Sequence, residues 1–234
     1  MSEVRPLRSR DEFEGMLRAA ERNYWDKHPF HQRMDAGELD PADLRAWVAN
    51  RWYYQQSLPQ KDAAIIANCP LAEIRRRWLP RISYHEGTTD SGGGCARWLL
   101  LAEAVGLSRA EVTDERHVLP AVRFAVDSYL TFARTRPWVE GIASSLTELF
   151  APQAMATRTA ALRRHYTWLN HEALAYFDGR ITRARKECAD ALDIVLTYCT
   201  SAESQDAAAG ALDFKTDVLW SMLDAIEHSR SALR

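Results

Sequence analysis

Arg81 and His85 lie four residues apart in "RISYHEGTTDSGGG", where a helical pattern runs out into Gly, Thr, Asp and Ser. A histidine in the last turn before a glycine-rich loop can be a C-terminal cap, a metal ligand or a catalytic base. The same spacing recurs at Arg51 and Gln55 in "NRWYYQQSLPQKD" and at Tyr176 and Arg180 in "AYFDGR". Residues at i and i+4 share one helix face, so each pair can present two polar groups to a single cavity. A solvated face is the commoner use of such a pair. Here each pair sets an arginine or histidine beside large aromatic residues.

Tyr129, Glu148 and Lys215 interrupt apolar stripes in "AVDSYLTF", "SSLTELF" and "ALDFKTDVLW". Lys215 is the most informative of them. Lys27, Lys61, Lys186 and Lys215 are the only lysines among 30 basic side chains, so arginine is the default cation of this chain and lysine is not. A charge in a core-like segment is costly unless it is paired or meets an anion.

Other chemistries find less support. Di-iron bundles need carboxylates on several helices and Glu-x-x-His units, and no Glu-x-x-His occurs. "DERH" offers Asp114 and His117, but in a polar stretch without an evident mate, so no metal site is expected. No H-E-x-x-H is present either. No cysteine sits in a catalytic context, and "SGGG" lacks the strand that precedes a nucleophile elbow or a phosphate-binding loop.

The elements that position these residues read as helices throughout. Asp40 and Pro41 in "LDPADLRAW" form an N-cap and first helical position. Ser108 to Glu111 and Thr200 to Glu203 both fit capping boxes. A stripe through Leu44, Trp47, Val48, Trp52 and Ile65 predicts a helix from Pro41 to about Asn68, kinked or split at Pro59. Further helices are expected near 10–24, 71–86, 94–105, 118–135, 138–150, 153–166, 171–178, 180–199 and 203–228, with a break at Gly179. Nothing divides the chain, so one all-α domain spanning 1–234 is expected, with 1–9 as a flexible N-terminal segment.

The composition, 47% hydrophobic and 26% charged with net charge −2, is that of a globular protein with no general attraction to nucleic acid or anionic membrane. No signal peptide or membrane span is evident. Cys69, Cys95, Cys188 and Cys199 show no C-x-x-C spacing and read as reduced thiols of a cytoplasmic protein.

Taken together, "HPFH", "WVANRWYYQ", "KDAAIIANCP", "RISYHEG", "WLLLAEAVGL", "LPAVRFAVDSYLTFAR", "SSLTELFAPQ" and "DFKTDVLWSMLDA" resemble the pyrroloquinoline-quinone synthase family, in order and over residues 10 to 228. The resemblance implies a heme-oxygenase-like helical bundle, a homodimer and a cofactorless oxidase. It implies a bicyclic, polycarboxylated quinone precursor whose last ring is closed in an eight-electron oxidation by O2, with release of H2O2. By the same resemblance His85 is the principal base, with Tyr176 and Arg180 beside it. Arg51, Gln55, Arg81, Arg158 and Lys215 are carboxylate and carbonyl clamps; Tyr24, Tyr129 and Glu148 are further substrate contacts.

Two positions depart from the family. Trp25 and Met155 stand where many relatives carry histidine. That departure motivates an alternative, a quinone-binding or delivery protein without full catalysis. A metal-dependent oxygenase of the same fold is a further alternative, against which the missing Glu-x-x-His weighs.

Overall fold

Asp40 begins the central helix with a capping box: its carboxylate accepts from Asp43 N while the Asp43 carboxylate accepts from Asp40 N, and Pro41 takes the first turn. The computed structural model describes residues 6–89 and 91–231, without the side chains of 91, 181–186, 230 and 231. Two short helices, α1 (Arg10–Ala19) and α2 (Pro29–Ala36), precede the central α3 (Pro41–Asn68). Then come α4 (Ala72–Trp78), α5 (Pro80–Glu86), α6 (Gly94–Ala104), α7 (Arg109–Thr113), α8 (Pro120–Thr135) and α9 (Trp138–Ser144). Past a 3-10 turn at Ser145–Leu149 the chain ends in α10 (Ala151–His165), α11 (Ala175–Tyr198) and α12 (Ala202–Ser231). The only strands among the described residues are β1 (Gly87–Thr88) and β2 (Ser91–Gly92), a minimal antiparallel pair. The all-α bundle is therefore as expected.

α3 runs through the middle, packed against α5, α6, α8 and α12. Pro59 does not split it. A proline cannot donate to the carbonyl four residues back, a loss of about 3 kcal/mol in a helix interior. That carbonyl belongs to Gln55, and the Cys95 thiol donates to it at 3.8 Å. A partner from α6 thus replaces the missing bond.

Other boundaries differ from the expectation. The expected 71–86 helix is two, α4 and α5, because Pro80 restarts the chain at a first-turn position. Gly179 does not break α11, which keeps Tyr176 and Arg180 on one helix face. α2 was not expected; His28 caps it through Nδ1, which accepts from Phe30 N, and left-handed Gly37 ends it. The capping box holds at Ser108 but not at Thr200, where Ser201 instead accepts from Ser204 N. Of the N-terminal segment, residues 1–5 lie outside the described residues. Arg8 is tied down, its N–H donating to Gln205 and its guanidinium pairing with Asp206.

The glycine run after His85 packs tightly. A Cβ at Gly93 would sit 2.5 Å from the His85 carbonyl oxygen, and one at Gly94 3.3 Å from His85 Nδ1. Only glycine lets the start of α6 approach the histidine this closely. All four cysteines are unbridged. No helix among the described residues is long and apolar enough to cross a membrane.

Candidate active site

Two buried cations face a small internal cavity with no carboxylate within ion-pairing distance among the described residues. They are Arg51 from α3 and Lys215 from α12. Lys215 Nζ donates to the Tyr54 hydroxyl at 2.7 Å and lies 3.6 Å from the Tyr129 ring centroid and 4.0 Å from that of Tyr54. Burial, then Lys61 and Arg51, hold its amine well below the usual lysine range. Arg51 is boxed by Tyr54, Trp25 and Trp98 at 4.3, 5.2 and 5.2 Å. Aromatic faces stabilise a cation without neutralising it. No carboxylate of the described residues pairs with either group, so both positions remain open to an incoming anion, whose charge would favour the protonated amine of Lys215. The cavity is about 40 Å³ and also meets Tyr24, Trp25, Met155 and Tyr176.

Behind this wall runs a hydrogen-bonded relay. The Tyr176 hydroxyl donates to Gln55 Oε1 at 2.8 Å, and Gln55 Nε2 lies 3.0 Å from His85 Nδ1. With the glutamine amide donating, His85 Nδ1 is the acceptor and the imidazole is neutral. Burial, then Arg180 and Arg81, hold His85 well below the usual histidine range. A neutral imidazole is the state a proton acceptor needs. α5 brings His85 here because Pro80 starts the helix and Gly87, at φ 90°, ends it.

A dense ion cluster forms the opposite wall. Arg81 and Arg180 donate to Glu148 Oε1 at 2.6 and 2.5 Å, and Arg180 also donates to Glu187 at 2.6 Å. Arg81 lies 3.5 Å from Asp62, which accepts from Lys61 at 2.5 Å and from the Trp78 indole at 2.8 Å. Burial alone would raise the Glu148 carboxyl; Arg81 and Arg180 outweigh it and hold it down to about 2. Arg81 and Glu187 also line an outer cleft of about 1080 Å³ with Arg76, Arg77 and Arg97. The cluster is thus the partition between an arginine-rich cleft and the inner cavity.

Of the residues singled out from sequence, Tyr24, Arg51, Tyr129, Glu148, Tyr176, Arg180 and Lys215 line the inner cavity. Gln55, His85, Arg81 and Arg158 stand one layer behind. Arg158 packs against Trp25, its Cζ 5.6 Å from the ring, and its Nη2 lies 2.9 Å from His31 Nδ1. Burial pushes the Tyr24 phenol up to about 12 and lowers Arg158. Sequence reasoning missed Lys61, Asp62, Glu187 and His31. Lys61 carried a signal, since it shares the scarcity that marked Lys215. Glu187 carried none. No three His, Cys, Asp or Glu side chains among the described residues converge as a metal site would require.

The TENA/THI-4/PQQC family model matches residues 16–225. The chain belongs to this family. Among its curated relatives, the pyrroloquinoline-quinone synthase of Rhizobium rhizogenes is 50% identical over 222 residues, 94% of this chain and 90% of the relative. That of Cronobacter sakazakii is 50% identical over 226 residues, 97% of this chain and 90% of the relative. The Pseudomonas aeruginosa synthase is 48% identical over 222 residues, 95% and 89% of the two chains. The resemblance read from the motifs is thereby borne out. Among solved structures, a heme oxygenase-like domain from Shewanella denitrificans superposes with TM-score 0.81 at 12% identity, over 97% of this chain and 96% of that one. A TenA homolog from Pseudomonas syringae gives TM-score 0.72 at 15% identity, over 97% and 99%. These likenesses identify the fold as heme-oxygenase-like.

Proposed function

We propose that this chain is an enzyme of pyrroloquinoline quinone biosynthesis, closing the last ring of a bicyclic polycarboxylated precursor and oxidising it by eight electrons with O2, with release of H2O2. The observation that carries this reading is the pair of unneutralised cations, Arg51 and Lys215, on one cavity wall beside the Tyr176–Gln55–His85 relay. The relatives' shared name supports the same substrate class.

The chemistry fits the groups present. A deprotonated quinol gives up electrons to O2 one at a time, so the substrate serves as its own redox centre and needs neither metal nor organic cofactor. Arg51 and Lys215 hold carboxylates and anchor the ring system. Neutral His85 is the proton acceptor, and Gln55 orients it relative to the Tyr176 hydroxyl. Arg180, Tyr176 and the cluster around Glu148 set the electrostatics where reduced oxygen forms. Small-ligand sites run to about 300–1,000 Å³, so a cavity of about 40 Å³ must widen on binding. The Arg81–Glu148–Arg180 partition toward the outer cleft is where substrate carboxylates compete with Glu148 for the arginines.

The reading includes a cytoplasmic homodimer. Phe124 on α8, 79% exposed, is the most exposed large apolar side chain described and supports a covered face there. Light scattering on purified protein checks the dimer.

A second reading, a quinone-binding protein without full catalysis, is favoured by the cavity lining: Trp25 and Met155 are on it and no histidine is. Aerobic incubation with the precursor separates the two. Oxygen uptake with appearance of the product spectrum supports the enzyme; bound but unchanged precursor supports the carrier.

A further inference from the structure

The outer cleft, at about 1080 Å³, already has room for a bicyclic polyacid, whereas the inner cavity of about 40 Å³ does not. Helices α4, α5, α6 and α11 wall the cleft and bring Arg76, Arg77, Arg81 and Arg97 to it. Among the described residues, the carboxylates on the same walls are Glu187 and Asp190. Both are engaged, Glu187 by Arg180 at 2.6 Å and Asp190 by Arg77 at 3.2 Å. A cleft lined mostly by one sign of charge concentrates ions of the other.

The arginines are not equally committed. Arg77 is held by Asp190 and, at 3.1 Å, by Asp193. Arg76 and Arg97 meet no carboxylate within ion-pairing distance among the described residues. The Arg97 guanidinium lies instead over the Tyr84 ring, 5.7 Å from its centroid, and a cation on an aromatic face keeps its charge. Arg81 is the buried member, 4% exposed. Its Nη2 donates to Glu148, but its Nε and Nη1, also buried, have no hydrogen-bond partner among the described residues. Asp62 and Glu187 stand 3.5 and 3.6 Å from those two atoms, balancing charge without a hydrogen bond. Unsatisfied buried donors are costly, and an acceptor arriving from the cleft offsets that cost.

We propose that the outer cleft is a second binding site for planar polycarboxylates, held by Arg76 and Arg97 with Arg81 as the buried contact. The inference rests on the polyacid-binding reading above. Precursor waits there until the inner cavity widens. One chain therefore accommodates two polyacid molecules, one on each side of the Arg81–Glu148–Arg180 cluster.

Equilibrium dialysis of pyrroloquinoline quinone at low ionic strength counts the molecules bound per chain, and two are expected. The outer one weakens about tenfold when salt is raised, because Arg76 is exposed and Arg97 only half-buried. Arg76→Gln combined with Arg97→Gln leaves one molecule bound, its affinity within about twofold. Lys215→Met weakens the inner molecule about tenfold and leaves the outer one within about twofold. Arg22→Gln combined with Arg134→Gln, at exposed arginines that do not line the cleft, retains two. If Arg97→Gln fails to fold, Arg76→Glu at its exposed position carries the same test alone. One molecule per chain in the unaltered protein overturns the proposal and leaves the polyacid reading standing. A second molecule that survives the loss of both cleft arginines, or that is lost equally with Arg22 and Arg134, also overturns it. If the unaltered protein binds none, the polyacid reading itself fails and this proposal falls with it.

Discussion

The Tyr176 hydroxyl donates to the side-chain oxygen of Gln55 at 2.8 Å, and through the amide of that glutamine it is coupled to His85. A cavity-facing phenol is thus connected to an imidazole that stands behind the wall. Gln55 is fully buried, and Arg51 reaches its side-chain oxygen only weakly, at 3.4 Å.

Cutting this connection separates chemistry from binding. Gln55→Leu keeps the volume but removes the hydrogen bonds to Tyr176 and His85, so single-turnover oxidation is expected to slow by about 10²-fold. Product affinity, measured by dialysis, stays within a few-fold because Arg51 loses only a weak 3.4 Å contact and Lys215 none. Equal losses in rate and affinity would contradict the relay.

Glu148 is shared by Arg81 and Arg180, all of them largely withdrawn from solvent. Glu148→Gln leaves two buried guanidiniums with less negative charge than they require. Denaturant unfolding is expected to show a loss of about 3 kcal/mol. A loss below about 1 kcal/mol would mean that Glu187 and Asp62 suffice.

The same groups set the response to acid. His85 and His31 are held below the usual range in the folded protein, so the unfolded chain binds more protons and stability falls as pH drops through about 6.5. Glu148, held down to about 2, contributes stability that is present above its unfolded value of 4.5 and is lost between 4.5 and about 2. Thermal melts across this range should show a first decline below neutrality and a steeper one below 4.5.

Lys215 trades stability for binding. Its amine is buried between two phenol rings without a carboxylate, and burial lowers its proton affinity. Lys215→Met removes that charge at similar length and is expected to raise stability by about 1 kcal/mol. Product affinity falls about tenfold in the same variant. A variant both less stable and unchanged in affinity would contradict this account.

The helices and part of the site could be read from the residues because the signals are local. Asp40 with Pro41, and Ser108 with Glu111, start helices through contacts within one turn. Lys215 stood out as a scarce charge on an apolar stripe, and Arg51 as one turn from Gln55 among aromatics. What could not be read depended on distant partners. The continuity of α3 through Pro59 requires the Cys95 thiol, forty positions away. Gly179 stays inside an unbroken α11, beside Arg97 and Tyr84 from distant parts of the chain. Arg81 and His85 are four apart, as sequence alone showed, yet one joins an ion cluster and the other a neutral relay.

The most direct test of the central claim is a single turnover of the bicyclic precursor by protein depleted of transition metals. The product is followed by its absorption spectrum, and O2 and H2O2 are followed in parallel. Full conversion is expected, with O2 consumed and H2O2 released, unaffected by chelator. Bound precursor that never converts, or conversion that depends on added iron, would contradict it.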